Sequence, residues 1–369
     1  MGHTRDHNED AFLVAELDGT QAVAFQASLP EPTALVAGEH GLLFLVADGM
    51  GGAASGELAS SMASESILDS LKSKWNSTTA LSAESFATVL RDATEEANTR
   101  IHQHSREFPE HRGMGTTATV AGLLGDRLYL AQVGDSRAYV IRKGKAIQIT
   151  KDQSLMQRLV EAGELTEAEA EASERRNIIL QALGPDAHVT VDLTYQQVRR
   201  GDTLIICSDG LSGLVRGEEI ARMVNEERDV EQLCHRLVDR ANELGGPDNI
   251  TVIAVQFDGD GLLPATERDE LGHKPFPLAG TLAAEEQKVL RVNPAPFKSD
   301  PTPAMGIPMV ARASLEDEFA QARAKEDARF HTEDEVREER KKKAQPIMIA
   351  LMILALAVAA FAVWRFLQE

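Results

Sequence analysis

Apolar residues recur at four-residue spacing at Ala59, Ala63, Ile67 and Leu71, which gives one stretch of helix a single face to bury. Phe86 and Leu90, then Ala93, Ala97 and Ile101 after a three-residue step, predict a second helix directly behind it. A third carries Val230, Leu233, Leu237, Ala241 and Leu244. Between them lie short apolar runs at 42–47, 117–124, 128–133, 137–142, 203–207 and 250–256, of strand length and bounded by turn residues. The dipeptides Gly125-Asp126 and Lys143-Gly144 join neighbouring runs as hairpins. Hairpins outnumber strand-helix-strand alternations, so the expected class is α+β: antiparallel sheets with helices on their outer faces.

The pattern changes after Phe257. Eight of the chain's 14 prolines fall within 258–308, where apolar periodicity fades. The expected organisation is a folded domain at 1–257, a Pro-rich flexible linker at 258–313 and a charged juxtamembrane stalk at 314–345. A transmembrane helix at 346–364 and a short tail at 365–369 would follow. Residues 346–364 carry no charge, and as a helix they would span about 28 Å, close to the roughly 30 Å hydrocarbon core of a bilayer. A buried helix is the competing reading, but no neighbouring apolar segment could cover it. Arg337, Arg340, Lys341, Lys342 and Lys343 precede the stretch, whereas Arg365 alone follows, and Trp364 suits an interface. The expected topology is a single-pass C-terminal anchor with everything before it cytoplasmic.

Charge narrows the partners. With 58 Asp plus Glu against 38 Lys plus Arg, the net charge of -20 opposes any general attraction to nucleic acid. Cys207 and Cys234 are the only cysteines and sit in apolar surroundings, which fits buried small hydrophobes better than a disulfide or a thiolate metal site. The first residues lack a secretory signal.

Four aspartates stand where apolar runs end. Asp48 follows 42–47 and precedes Gly49-Met50-Gly51-Gly52; Asp209 follows 203–207 and precedes Gly210. Asp135 lies in Gly134-Asp135-Ser136-Arg137 after 128–133, and Asp248 precedes 250–256. Taken singly, Asp-Gly is a turn. Four such carboxylates brought together, with Arg5, Asn8, Glu9 and Asp10, would repel one another without cations between them, and all-oxygen donors suit Mg²⁺ or Mn²⁺. Histidine offers a weaker metal hypothesis. His3 and His7 have i,i+4 spacing without helical periodicity, and His102, His104 and His111 cluster at the polar end of a helix.

The motifs Gly2-His3-Thr4-Arg5-Asp6-His7-Asn8-Glu9-Asp10, the run 46–52, Gly113-Met114-Gly115-Thr116-Thr117, Gly134-Asp135-Ser136-Arg137, Leu183-Gly184, Cys207-Ser208-Asp209-Gly210-Leu211 and Asp248-Asn249-Ile250-Thr251 resemble, in order and spacing, the metal-dependent protein phosphatases (PPM, or type 2C) in their bacterial form. The resemblance covers about 2–257. It implies a four-layer α-β-β-α sandwich of two antiparallel sheets flanked by helices, with two Mg²⁺ or Mn²⁺ ions in the channel between the sheets. Carried over by position, Asp48 bridges both ions, the Gly49 carbonyl completes one, and Asp209 and Asp248 hold the other. Glu9 and Asp10 act through metal-bound waters, Arg5 clamps the substrate phosphate, and Asp135 with Asp209 holds a third, weaker ion.

The implied function is a membrane-tethered protein serine/threonine phosphatase that hydrolyses phosphoserine and phosphothreonine by a metal-activated water. Its partners would be phosphorylated proteins, with membrane-associated Ser/Thr kinases and their substrates foremost. The alternatives are a catalytically silent phosphoprotein-binding regulator and a small-molecule phosphomonoesterase. Three features depart from the family: Met50 stands where eukaryotic relatives carry histidine, Ala53 where many bacterial members do, and the strand usually found before the first motif is missing. Residues 152–184 resemble the family's mobile flap, or else a surface helix pair.

Overall fold

A computed structural model describes residues 2–18, 22–25, 34–77, 82–173 and 175–278. In chain order the strands are β1 (Ala11–Glu16), β2 (Ala22–Phe25), β3 (Leu42–Ala47), β4 (Gly49–Met50), β5 (Gly115–Thr116), β6 (Ala118–Leu124), β7 (Arg127–Val133), β8 (Arg137–Arg142), β9 (Lys145–Gln148), β10 (Asp192–Gln197), β11 (Thr203–Cys207) and β12 (Val252–Gln256). The helices are α1 (Ala53–Asn76), α2 (Ala83–Glu107), α3 (Leu155–Glu161), α4 (Glu167–Glu171), α5 (Asp209–Ser212), α6 (Gly217–Glu226) and α7 (Val230–Glu243). One sheet has six strands in the order β10-β7-β6-β3-β1-β2 and the other four in the order β12-β11-β8-β9; β4 and β5 form a separate two-stranded ribbon. Every pairing between these strands is antiparallel.

The period of two along the central strands sorts their side chains into two cores. Leu43 and Leu45 point toward α1 and α2, where they meet Ile67, Leu71, Trp75, Phe86 and Leu90. Phe44 and Val46 point the other way, onto Val140, Leu204, Ile206 and Ile253 of the second sheet. A third core packs the outer face of that sheet, through Tyr139, Ile141, Ile205 and Cys207, against Ile220, Val224, Leu233 and Leu237 of α6 and α7. The order is therefore helix, sheet, sheet, helix. Ser82 caps α2 by accepting from Ser85 N–H, and Asp229 caps α7 by accepting from the Glu231 and Gln232 amides.

Two strands start later than the apolar runs suggest. Thr117 lies outside β6 because its amide turns to the Asp48 carbonyl, 2.9 Å away. The 250–256 run becomes a strand only at Val252, where Cys207 provides a partner.

Residues 258–278, expected within the linker, pack along the six-stranded sheet. Tyr195 N–H donates to Lys274 O at 3.0 Å and Phe276 N–H to Leu193 O at 2.8 Å, which extends β10 sideways. Phe276 meets Tyr129 and Tyr195 edge to face at 5.6 and 5.7 Å. It thereby lengthens an aromatic row that runs from Trp75 through Phe86 to Tyr129. Arg142 donates to Asp202 at 2.9 and 2.6 Å and to Asp269 O at 2.9 Å, and Arg199 pairs with Asp269 at 2.5 Å. A Pro-rich composition thus marks extended backbone here, and the packed part of the chain runs on to Leu278, itself buried. No helix among the described residues is long and apolar enough to cross a membrane. The expected linker beyond 278, the stalk and the 346–364 helix lie outside the described residues.

Candidate active site

Strand register gathers the carboxylates at one end of the sandwich. Ala11 faces Ala47, so Asp10 and Asp48 sit side by side at the ends of β1 and β3. Cys207 faces both Arg137 and Val252, which puts Asp209 next to the Gly134–Arg137 turn on one side and the 248–251 turn on the other. Glu9, Asp10 and Asp135 are buried. Among the described residues no three Asp, Glu, His or Cys side chains converge to coordinating distance of one point; the carboxylates surround the end of the channel rather than meet.

Three of these carboxylates, Asp10, Asp135 and Asp209, keep a buried oxygen that no hydrogen bond reaches. Asp10 Oδ2 accepts from Ser208 at 2.9 Å and from Thr251 at 2.7 Å, but Oδ1 is buried with no partner, as are Asp135 Oδ1 and Asp209 Oδ1. An unsatisfied buried acceptor costs about 1–3 kcal/mol, more if charged. Orphan oxygens on three neighbouring aspartates are what a hard divalent cation would satisfy, and the donor set fits Mg²⁺ or Mn²⁺. Asp48 is held by a crossed pair: its amide donates to Thr117 Oγ1 at 3.0 Å and its carbonyl accepts from Thr116 Oγ1 at 2.9 Å. Gly49 is obligatory, because a Cβ there would lie 2.2 Å from Gly56 O and 2.4 Å from Glu9 O.

Burial and mutual repulsion favour protons on these groups. Burial, then the charges of Asp10, Asp209, Asp135 and Asp248, hold Asp48 well above the usual carboxylate range. Burial, then Asp209 and Asp152, do the same to Asp135, with Arg137 opposing. Asp10 is pushed up to about 6 by burial, against its bonds from Thr251 and Ser208. Asp209 is raised by burial and Asp248; its contact with Asp48 and the charges of Arg5 and Arg137 oppose.

Arg5 stands at the rim, half exposed, and donates to Asp248 at 2.8 Å. Burial would lower its pKa, but the Asp248 hydrogen bond and the charges of Asp248, Glu9 and Asp48 raise it, so the guanidinium stays cationic. The motif that carries it is anchored to the 246–249 turn: His3 N–H donates to Gly246 O at 2.8 Å, and Thr4 Oγ1 to Pro247 O at 2.6 Å. Asn249 bridges the same two segments, accepting from Glu9 N–H at 2.9 Å and donating to His7 O at 2.9 Å.

The histidines have other work. His102 bonds Gly184 O at 2.9 Å, and His104 and His111 bond each other at 2.9 Å. Sequence reasoning assigned no role to Ser208, Thr251, Asn249, Thr116 or Thr117, which fasten the carboxylates. Their signal was the hydroxyl or amide residue beside each motif aspartate. The 152–184 segment contains the short helices α3 and α4, with Leu155, Met156, Leu159 and Ala170 buried.

A family profile described as Protein phosphatase 2C matches residues 32–250. The serine/threonine phosphatase stp of Listeria monocytogenes is 34% identical over 258 residues, which span 70% of this chain and 93% of that protein. The crystal structure of the serine/threonine phosphatase PstP/Ppp of Mycobacterium tuberculosis superposes with a TM-score of 0.56 at 32% identity, covering 70% of this chain and 95% of the other. The catalytic domain of PstP in complex with two manganese ions gives 0.53 at 32% identity, covering 69% and 93%.

Proposed function

The chain belongs to the protein phosphatase 2C family, and from that premise we propose how its own residues serve the reaction and where the reaction takes place. It is a protein-serine/threonine phosphatase, a phosphoric monoester hydrolase dependent on divalent metal. The observation that carries the site proposal is the set of orphan oxygens on Asp10, Asp135 and Asp209 at the end of the channel where Asp48 also ends its strand. Asp48, Asp209, Asp248 and the Gly49 carbonyl would hold two ions, Glu9 and Asp10 would act through their waters, and Asp135 would share a third with Asp209. Bound there, Mg²⁺ or Mn²⁺ neutralises the phosphoryl oxygens and lowers the pKa of a water enough to make it a nucleophile near neutral pH. Arg5 presents paired N–H donors to the substrate phosphate. Asp248, which accepts from Arg5, aims that guanidinium. Met50 has no proton to give, so this side chain leaves protonation of the departing serine or threonine oxygen to other groups at the site.

Phosphate release from a phosphothreonine peptide with Mn²⁺, stopped by chelator and abolished by Asp48→Ala, is the expected result. Release from small phosphomonoesters at equal or greater kcat/KM would instead favour the metabolite reading, and a folded, metal-loaded protein without turnover the silent regulator.

Placement is a separate proposal, supported by the uncharged 346–364 stretch and its basic amino-terminal flank. The chain would be anchored by one C-terminal span with its phosphatase domain cytoplasmic, acting on phosphorylated proteins that include membrane-associated Ser/Thr kinases and their substrates. The full chain should then fractionate with membranes and resist carbonate extraction. Recovery without detergent in the soluble fraction would remove the anchor.

A further inference from the structure

Asp48, Asp135 and the 152–184 segment are joined through one residue, Gln153, that the reaction does not itself require. Gly134, which precedes Asp135, has φ +100°, and a Cβ there would lie 2.6 Å from Thr117 Cγ2. It therefore rests directly on Thr117, the residue that holds the Asp48 backbone from both sides. On its far side Gly134 meets Gln153 in a reciprocal pair: Gln153 N–H donates to Gly134 O at 2.9 Å, and Gly134 N–H donates to Gln153 Oε1 at 2.9 Å. The rest of Gln153 is also engaged. Its carbonyl accepts from Leu180 N–H at 2.8 Å, and Nε2 donates to Thr190 O at 3.1 Å. Residues 153 and 180 lie at the two roots of the segment that contains α3 and α4, and Leu155 N–H to Ile178 O at 2.9 Å closes the same neck.

The neighbouring residue tightens the arrangement. Asp152 accepts from Arg137 at 3.0, 3.0 and 2.7 Å and from Gln148 at 2.9 Å, so the turn bearing Asp135 is clamped to the segment's first root on both flanks. Gln132 closes the inner side by donating to Gly134 O at 3.2 Å and Ser136 O at 2.7 Å. Side chains buried in such networks keep a single geometry because moving one member strands the others.

We infer that Gln153 is a positioning residue that sets the aim of Asp135 and the seating of residues 154–180 together, so that displacing the segment displaces the carboxylate. The inference rests on the site assignment proposed above only where it concerns metal; the mechanical link stands on the hydrogen bonds alone. In functional terms, a phosphoprotein that presses on the segment would be felt at Asp135, whereas a small ester that does not reach it would not.

The test compares Gln153→Met, which keeps volume and loses the three side-chain hydrogen bonds, to Gly134, Gln132 and Thr190, with Gln153→Glu, which keeps the acceptor for Gly134 N–H. Amide exchange is read at two bonds that Gln153 does not make: Leu155 N–H to Ile178 O in the neck, and Thr117 N–H to Asp48 O at the site. Gln153→Met should speed both at least fivefold, and Gln153→Glu should restore the Thr117 amide toward the parent rate. By calorimetry Gln153→Met should keep the tight Mn²⁺ ions and weaken the last-binding one at least fivefold. It should also lower kcat on a phosphothreonine peptide more than on p-nitrophenyl phosphate. Faster exchange in the neck with the Thr117 amide and the last Mn²⁺ unchanged would overturn the inference. Should the parent bind no Mn²⁺, the metal assignment fails, and the two exchange rates still decide the role of Gln153.

Discussion

Two sets of buried or half-buried aspartates occupy this domain, and they are treated in opposite ways. At the end of the channel, Asp10, Asp135 and Asp209 keep oxygens with no partner, and their protons are held more tightly than usual. Where β8 and β10 meet residues 258–278, Asp202 is just as deeply buried yet accepts from Arg142 twice and from Arg199 N–H at 2.8 Å. Asp269 is held below the usual carboxylate range by its hydrogen bond from Arg199, then by those from Thr266. Complete pairing marks a structural joint, whereas incomplete pairing in an equally buried place marks a site kept for a cation. The number of aspartates would not have told the two apart.

The largest test of this contrast is to remove one member of each set. Asp209→Ala should lower phosphatase turnover by more than about a hundredfold, since losing even an outer partner of a metal ligand costs on the order of 10–100-fold. In chelator the same variant should be no less stable than the parent, because the change relieves repulsion. Asp202→Ala should do the reverse: stability by denaturant titration should drop by about 4 kcal/mol as Arg142 is left buried and unpaired, with kcat per folded molecule unchanged. Stability losses of similar size in both variants would erase the distinction.

Cutting the chain after Phe257 probes the paired set from outside. It removes Asp269 and Phe276, which leaves Arg199 without its carboxylate, and should destabilise the domain by about 3 kcal/mol compared with a chain cut after Leu278. Equal melting temperatures for the two chains would show that residues 258–278 contribute nothing to the joint.

The smallest effect is in pH. A carboxyl whose folded pKa is raised contributes stability that is full below its unfolded pKa and is lost as pH rises through the folded value. For Asp10 that window runs from just under pH 4 to about pH 6. The metal-free protein should therefore lose roughly 2–3 kcal/mol between pH 4 and pH 7 from this group alone. Mn²⁺ should restore more stability at pH 7 than at pH 4, because ions and protons compete for the same oxygens. A metal-free stability that rises across this range would show that the paired set, not the unpaired one, governs the titration.

Periodicity revealed the sandwich where strands are buried on both faces or helices bury one. Leu42–Ala47, Arg137–Arg142 and Thr203–Cys207 could be read to the residue, and α1, α2 and α7 by their four-residue spacing. It missed β10, whose polar sequence Asp192-Leu193-Thr194-Tyr195-Gln196-Gln197 is covered on one side by residues 258–278 rather than by apolar neighbours of its own. It missed α6 because no regular spacing announced Ile220, Ala221, Met223 and Val224. The motif aspartates were legible because a charge at the end of an apolar run is conspicuous. The hydroxyls that orient them were not, since Ser208, Thr251 and Thr117 act across separations of 198, 241 and 69 residues along the chain. Hydrogen bonds at such range leave no periodic trace.

The aromatic row gives the domain an optical signature of its own. Trp75 is one of two tryptophans in the chain; it is fully buried, with its indole N–H bonded to His40 O at 2.9 Å and Phe86 edge-on at 4.9 Å. Its fluorescence should lie at short wavelength in the folded state and move to the red as the core between α1, α2 and the six-stranded sheet opens. Tyr129, one ring further along the row, is near enough to pass excitation to it. A chain ending after Leu278 holds no other indole, so its emission follows the unfolding of this core without labels. In the full chain, light from Trp364 adds a second signal, which lipid-borne quenchers should reach only if 346–364 enters a bilayer.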